Sequence, residues 1–143
     1  MEFFYWNFFS FVSNYKQTMR NILIIGAGRS ASSLIQYLLN KSDQENLHLT
    51  IGDLSLELAQ RKTNNHPNAT AIQLDINNEN QRHAEIQKAT IVISMLPAHM
   101  HIEVAKDCIK FKKHMVTASY VSDAMQGLDA AAKENNLIFM NEI

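Results

Sequence analysis

The chain has 143 residues, 46% of them hydrophobic, with 13 basic residues against 14 acidic ones for a formal net charge of −1. That length suits one domain able to bury its own core, and the near-neutral balance gives no long-range pull toward nucleic acid or an anionic membrane, so the expected partner is a small molecule or another subunit. The single cysteine, Cys108, excludes an internal disulfide and shares a helical apolar face with Ala105 and Ile109, which predicts a buried, inert thiol and a reducing, cytoplasmic setting.

The first eighteen residues, MEFFYWNFFSFVSNYKQT, hold five of the seven Phe, the only Trp and two of the four Tyr. Glu2, Asn7, Ser10, Ser13 and Asn14 interrupt what would be a signal-peptide core, and the stretch is shorter than the roughly 20 apolar residues of a membrane span. Met19 directly precedes a complete first strand. Residues 1–18 are therefore read as an upstream extension that packs on nothing, and residues 19–143 as the folded domain. An aromatic segment that docks on a membrane surface or a partner is the alternative.

From there, short β-rich runs alternate with helical patterns. NILII (21–25) is the first strand, and Ala31, Leu34, Ile35, Leu38 and Leu39 then fall on one helix face. LHLTIG (47–52) and TAIQLDI (70–76) are the second and third strands, and TIVISML (90–96) is the fourth. Ile102, Ala105, Cys108 and Ile109 mark the next helix, HMVTAS (114–119) the fifth strand, and Ala124, Met125, Leu128, Ala131 and Ala132 a helix before the last strand, LIFMNEI (137–143). Strands separated by helices pair in parallel through right-handed crossovers, so the chain predicts an α/β, Rossmann-type, doubly wound six-stranded sheet of order 3-2-1-4-5-6, with helices on both faces.

In GAGRSA, Gly26 is expected to make the tight turn out of the first strand, Gly28 to let backbone approach a diphosphate, and Ala31 to let helix pack on strand. The helix start aims free N–H groups and a positive dipole end at the phosphates. Such a loop serves equally as a plain strand-to-helix turn when it stands alone. Here it is answered by Asp53 after the second strand, where a carboxylate accepts the hydroxyls of an adenosine ribose; the polar NKSDQEN loop accounts for the wide spacing. The Asp53 charge repels a 2′-phosphate, which favours NAD over NADP. Arg29 either offsets that by contacting a phosphate or is a solvated first-turn arginine. Asp53 is also expected to cap a helix beginning at Leu54. Asp75 reaches the adenine side of the crevice or, by the preferred reading, caps a helix beginning near Asn78 or Glu79.

Other motifs are set aside. Tyr37 and Lys41 have the Y-x-x-x-K spacing of short-chain dehydrogenases, but they fall on the first helix behind the phosphate loop, which makes Tyr37 a surface residue. His99 and His101, two apart, do not face each other on a helix, and no cysteine or carboxylate cluster completes a metal site. The lysines of KDCIKFKKH complement a helix C-terminus. SMLPAHMH, in which Pro97 stiffens the loop, and TASYVSDAM, which puts Ser119 and Tyr120 at the carboxyl edge, follow strands four and five where nicotinamide and substrate would meet, or are ordinary connections.

IIGAGRSA, VISMLPAHMH, CIKFKKHMVTASYVSDAMQGLDAAAKE and LIFMNEI together resemble the saccharopine dehydrogenase family, in particular the amino-terminal domain of its reductases, over residues 20–143. The resemblance implies an NAD(P)-dependent oxidoreductase acting on a secondary amine or imine, converting saccharopine to or from an aminoadipate semialdehyde and glutamate. It implies that Gly26, Gly28, Arg29 and Ser30 hold the diphosphate, Asp53 and Asp75 the adenosine end, and Leu96 and Pro97 the nicotinamide side. Ser119 and Tyr120 would lie near an amino-acid substrate. No catalytic acid or base is identified. Asp53 departs from the basic residue that NADP-using reductases place beyond this strand, so NAD is favoured and NADP stays open. In the family a glycine- and proline-rich run opening the substrate domain follows a segment like NEI. The chain is accordingly read as a cofactor half, with a homodimer admitted for a longer parent. A regulatory nucleotide-sensing domain of a transport protein is the alternative of a different class, and TASYVSDAM is the segment such a domain has no reason to carry.

Overall fold

A computed structural model describes residues 18–142, so the expectation for residues 1–18 falls, but for an exposed Thr18, outside the described residues. The strands are β1 (Arg20–Ile25), β2 (Leu47–Asp53), β3 (Ala69–Gln73), β4 (Ile91–Ser94), β5 (His114–Tyr120) and β6 (Phe139–Glu142). They form one sheet of order β3-β2-β1-β4-β5-β6, and every pairing is parallel. The helices are α1 (Ser32–Glu45), α2 (Leu56–Thr63), α3 (Glu79–Lys88), α4 (His101–Lys110), α5 (Asp123–Gln126) and α6 (Asp129–Glu134). Short 3₁₀ turns, Arg29–Ala31 and Ala98–Met100, lead into α1 and α4.

The unbroken apolar run of β1 follows from burial on both faces of the sheet. Ile22 and Ile24 join Ile35, Leu39, Leu49, Ile51 and Ala59 under α1 and α2. Leu23 and Ile25 point the other way, into Ile86, Val92, Val104, Cys108 and Met115 under α3 and α4. Alternate residues of one strand thus serve two cores, as a side-chain period of two requires.

Three helix expectations need correction. The helix after β2 begins at Leu56 and its cap is Ser55, whose side chain accepts the Leu58 N–H; Asp53 is not the cap. The helix after β3 is capped by Asn78, which accepts the Gln81 N–H, rather than by Asp75. The pattern from Ala124 to Ala132 splits into α5 and α6, because the Leu128 N–H turns to Met125 O at 3.0 Å, a tighter 3₁₀-type bond next to the weak helix former Gly127.

Below the sheet, Arg82 on α3 and Asp107 on α4 form an ion pair (2.5 Å), each side chain 9% exposed. Arg82 also donates to Ile76 O, and His83 bonds the other Asp107 oxygen at 3.0 Å.

Candidate functional site

The sheet order reverses between β1 and β4, and the carboxyl ends of these neighbouring strands frame a crevice. Gly26 directly follows β1 with φ +104°, and an added Cβ would stand 3.0 Å from the O of Met95, just past β4, so both the backbone and this close approach require glycine. Gly28 differs. Its φ of −65° and ψ of −178° suit any residue, and an added Cβ would meet nothing within 4 Å. The fold itself makes no demand for glycine at 28, and the space above it is open. The following 3₁₀ turn and α1 present first-turn amides with no acceptor of their own, as every helix start does. Arg29 and Ser30 are exposed on this turn, Ala31 is fully buried beneath it, and the Arg29 guanidinium pairs with nothing among the described residues.

Asp53, half-buried at the end of β2, clasps the loop. Its Oδ2 accepts the Ala27 N–H at 2.7 Å and its Oδ1 accepts the Ser55 N–H at 2.9 Å. Beside it lies a cavity of about 130 Å³ lined by Gly26, Gly52, Asp53, Asp75 and Leu96 among others. Asp75 faces this cavity while its Oδ1 accepts the Asn77 N–H at 2.9 Å, so it shapes the loop that forms the cavity wall.

A second cavity of about 100 Å³ runs from Ser30 past Ser94, Met95 and Leu96 to Ala118 and Ser119. Leu96 lines both cavities and forms the ridge between them. Pro97 is exposed at the head of the next 3₁₀ turn and lines neither. Tyr120, 71% exposed at the end of β5, also stands outside both. Sequence reasoning considered His101 only as a metal ligand. In the structure it is 2% exposed and bridges two hydroxyls: Nδ1 lies 2.8 Å from Ser94 Oγ and Nε2 2.8 Å from Ser119 Oγ. Burial, with the nearby His99 charge second, pulls its pKa below the usual 6.5. No group of metal-binding side chains occurs among the described residues, and no helix there is long and apolar enough to cross a membrane. A larger hollow, about 550 Å³, lies against β6, α5 and α6 and holds none of the predicted site residues.

The residues fit a dinucleotide: an open approach over Gly28, free turn amides, and a carboxylate beside a cavity at the switch point. The profile of the saccharopine dehydrogenase NADP binding domain matches residues 22–140. The chain belongs to that family. Membership brings nucleotide-cofactor binding with it, and the family's name gives NADP. Saccharopine dehydrogenase [NADP(+), L-glutamate-forming] of Pyricularia oryzae is 36% identical over 124 residues, covering 87% of this chain and 27% of that protein. Alpha-aminoadipic semialdehyde synthase of Arabidopsis thaliana is 28% identical over 139 residues, covering 85% of this chain and 13% of that protein. Among solved structures, apo saccharopine dehydrogenase (L-Glu forming) from Saccharomyces cerevisiae superposes with a TM-score of 0.78 at 30% identity, over 87% of this chain and 27% of that one. The chain thus spans about a quarter or less of the length of these relatives.

Proposed function

We propose that residues 19–143 act as the dinucleotide-binding domain of an oxidoreductase that interconverts a secondary amine and an imine, with saccharopine, named in the relatives, as its substrate. Residues 1–18 stand outside that domain. The observation that carries this reading is Gly28, a glycine that the backbone does not need, at an open turn beneath free amides. In this role Gly26, Gly28, Arg29 and Ser30 hold the diphosphate. Asp53 takes the ribose hydroxyls with lone pairs left over from its two backbone bonds, and Asp75 borders the adenine. Leu96 and Pro97 shape the nicotinamide side, and Ser119 and Tyr120 face an amino-acid substrate. A bound nicotinamide supplies or accepts the hydride. The chain's part is to orient that ring and to keep water from it along the Leu96 ridge. The setting is cytoplasmic, and a longer parent works as a homodimer.

For the cofactor we favour NAD(H), because Asp53 places a carboxylate where NADP(H) carries its 2′-phosphate. The relatives' NADP names and the unpaired Arg29 guanidinium support the opposite choice. Calorimetric titration with NADH and NADPH decides: NADH is expected to bind more tightly, and Asp53→Ala to narrow the gap. Equal or reversed affinities would give the selectivity to Arg29. Turnover tests the substrate. The 143-residue chain is expected to bind dinucleotide without consuming saccharopine, since one open sheet edge cannot enclose an imine. A fusion to the remaining length of a relative is expected to form NADH with saccharopine, and a fusion active only on another amine would reject the substrate assignment.

A further inference from the structure

The Ser94–His101–Ser119 chain has a direction that buried-proton accounting fixes. Ser94 is 0% exposed, and His101 Nδ1 is the one acceptor its hydroxyl reaches among the described residues. If Nδ1 carried the imidazole proton, the Ser94 O–H would be a buried donor with no acceptor, which disfavours that tautomer by about one to two orders of magnitude. Ser94 therefore donates to Nδ1, the proton sits on Nε2, and Nε2–H donates to Ser119 Oγ at 2.8 Å. Ser119 Oγ then accepts from the protein side with one of its two lone pairs, which fixes its rotation. Its own proton is left for the cavity that it shares with Ser30 and Leu96.

We propose that His101 is a positioning residue whose imidazole, locked as the neutral Nε2–H tautomer by Ser94, orients the Ser119 hydroxyl so that its proton is directed into the cavity, and that this end of the site favours oxygen acceptors over ammonium groups. The tautomer and the polarity rest on the geometry alone. The ligand rests on the dinucleotide-binding reading, and its acceptor oxygen belongs either to the nicotinamide half of the cofactor or to a carboxylate of the substrate. The position of His101 at the start of α4 supports the neutral ring, since a helix N-terminus opposes an imidazolium. Two residues on, Glu103 faces outward and pairs with Lys106 rather than with the ring.

Long-range proton–nitrogen spectra of the ¹⁵N-labelled chain read the ring directly. The expected pattern for His101 is a protonated Nε2 and an unprotonated Nδ1. Ser94→Ala, which removes the lock, is expected to move both ring nitrogens toward mixed-tautomer shifts while the other histidines stay in place. A wild-type ring protonated on Nδ1, or a Ser94→Ala spectrum identical to wild type, overturns the proposal without touching dinucleotide binding. Titration separates the ligands: His101 ring shifts that respond to NADH assign the acceptor to the cofactor, and shifts that respond only to saccharopine assign it to the substrate. A response to neither overturns the ligand half of the proposal, and failure of NADH to bind at all instead rejects the function on which that half rests. For whichever ligand responds, Ser119→Ala is expected to weaken affinity about five- to tenfold, the loss of one neutral hydrogen bond. His101→Gln, whose amide keeps a donor at the Nε2 position, should retain affinity within about twofold, while His101→Leu should match Ser119→Ala. Equal losses in the Gln and Leu variants would mean that the ring only fills space.

Discussion

Two glycines two residues apart ought to respond in opposite ways to the same methyl group. At Gly26 an alanine must adopt φ +104° and press its Cβ to 3.0 Å from Met95 O and 3.1 Å from Met95 C, atoms of backbone that cannot swing aside. A non-glycine residue in such a region costs about 1–3 kcal/mol, and overpacking adds roughly 1–3 kcal/mol more. Gly26→Ala is thus expected to lose about 2–6 kcal/mol, on the order of 10 °C or more in Tm for a domain of this size. At Gly28 the same change meets open space at a φ of −65°, where restricting the unfolded chain stabilises by about 0.4–1 kcal/mol. Gly28→Ala is therefore expected to melt at or slightly above the wild-type temperature and, on the proposed diphosphate role of this turn, to bind NADH at least tenfold more weakly. Thermal unfolding by circular dichroism and calorimetric titration on the same samples give both halves. A Gly28→Ala protein with undiminished affinity would reduce the glycine loop to a plain turn, and a Gly26→Ala protein of wild-type stability would refute the steric account.

Three further outcomes follow from buried groups. Burial first, then the Asp107 charge, push the Cys108 thiol up to about 12 against a smaller pull from Lys113, so the native protein at pH 8 should resist a thiol-specific reagent and react only at its unfolding rate. Because His101 is held below 6.5, the unfolded chain takes up that proton first: the stability involved is whole above about pH 6.5 and declines as pH falls from there toward the folded pKa. Denaturant midpoints between pH 8 and pH 5 should show this slope, and His101→Gln should remove that part of it; an unchanged slope would assign it elsewhere. Asp107→Ala should cost about 3–5 kcal/mol in urea unfolding by leaving Arg82 buried without its partner, whereas the double change Arg82→Met, Asp107→Leu should recover most of that.

The sheet was legible because each strand is a short apolar run and three of the five crossovers carry a helical stripe, signals local enough to read one residue at a time. Strand order then followed from the glycine loop and the crossover rule. What failed was local competition between neighbours of similar chemistry. Asp53 and Ser55 are both good cap residues two positions apart, and Ser55 takes the cap because the Asp53 carboxylate is already engaged by Ala27 N–H, 26 residues earlier in the chain. Asp75 lost to Asn78 in the same way, its oxygen taken by Asn77 N–H inside the preceding turn. Neither loss is visible to periodicity: the first depends on a contact made only once β1 and β2 are side by side, the second on a turn between Asp75 and Asn77 that competes with capping.

His101 and Arg82 were hidden for a related reason, and their positions explain why they matter. Ser94 pairs in register with Thr117, so Ser119 lies two residues further along β5 on the same side of the strand, and a histidine opening α4 can reach both hydroxyls only because β4 and β5 are neighbours. Arg82 sits in ENQRHAEIQK, a helix sequence so polar that its default reading is a solvated surface, yet the guanidinium is spent beneath the sheet on Asp107 and on Ile76 O. Ile76 follows Asp75 in the loop that walls the cavity beside Asp53, so a buried ion pair behind the sheet fixes the wall in front of it. Each polar group is thereby bonded in a place where an unpaired one would be costly, and each pins a segment that lines a cavity. Residue types alone mark where a ligand is touched. The groups that hold those residues in place are set by strand register and helix packing, and they come into view only with the fold.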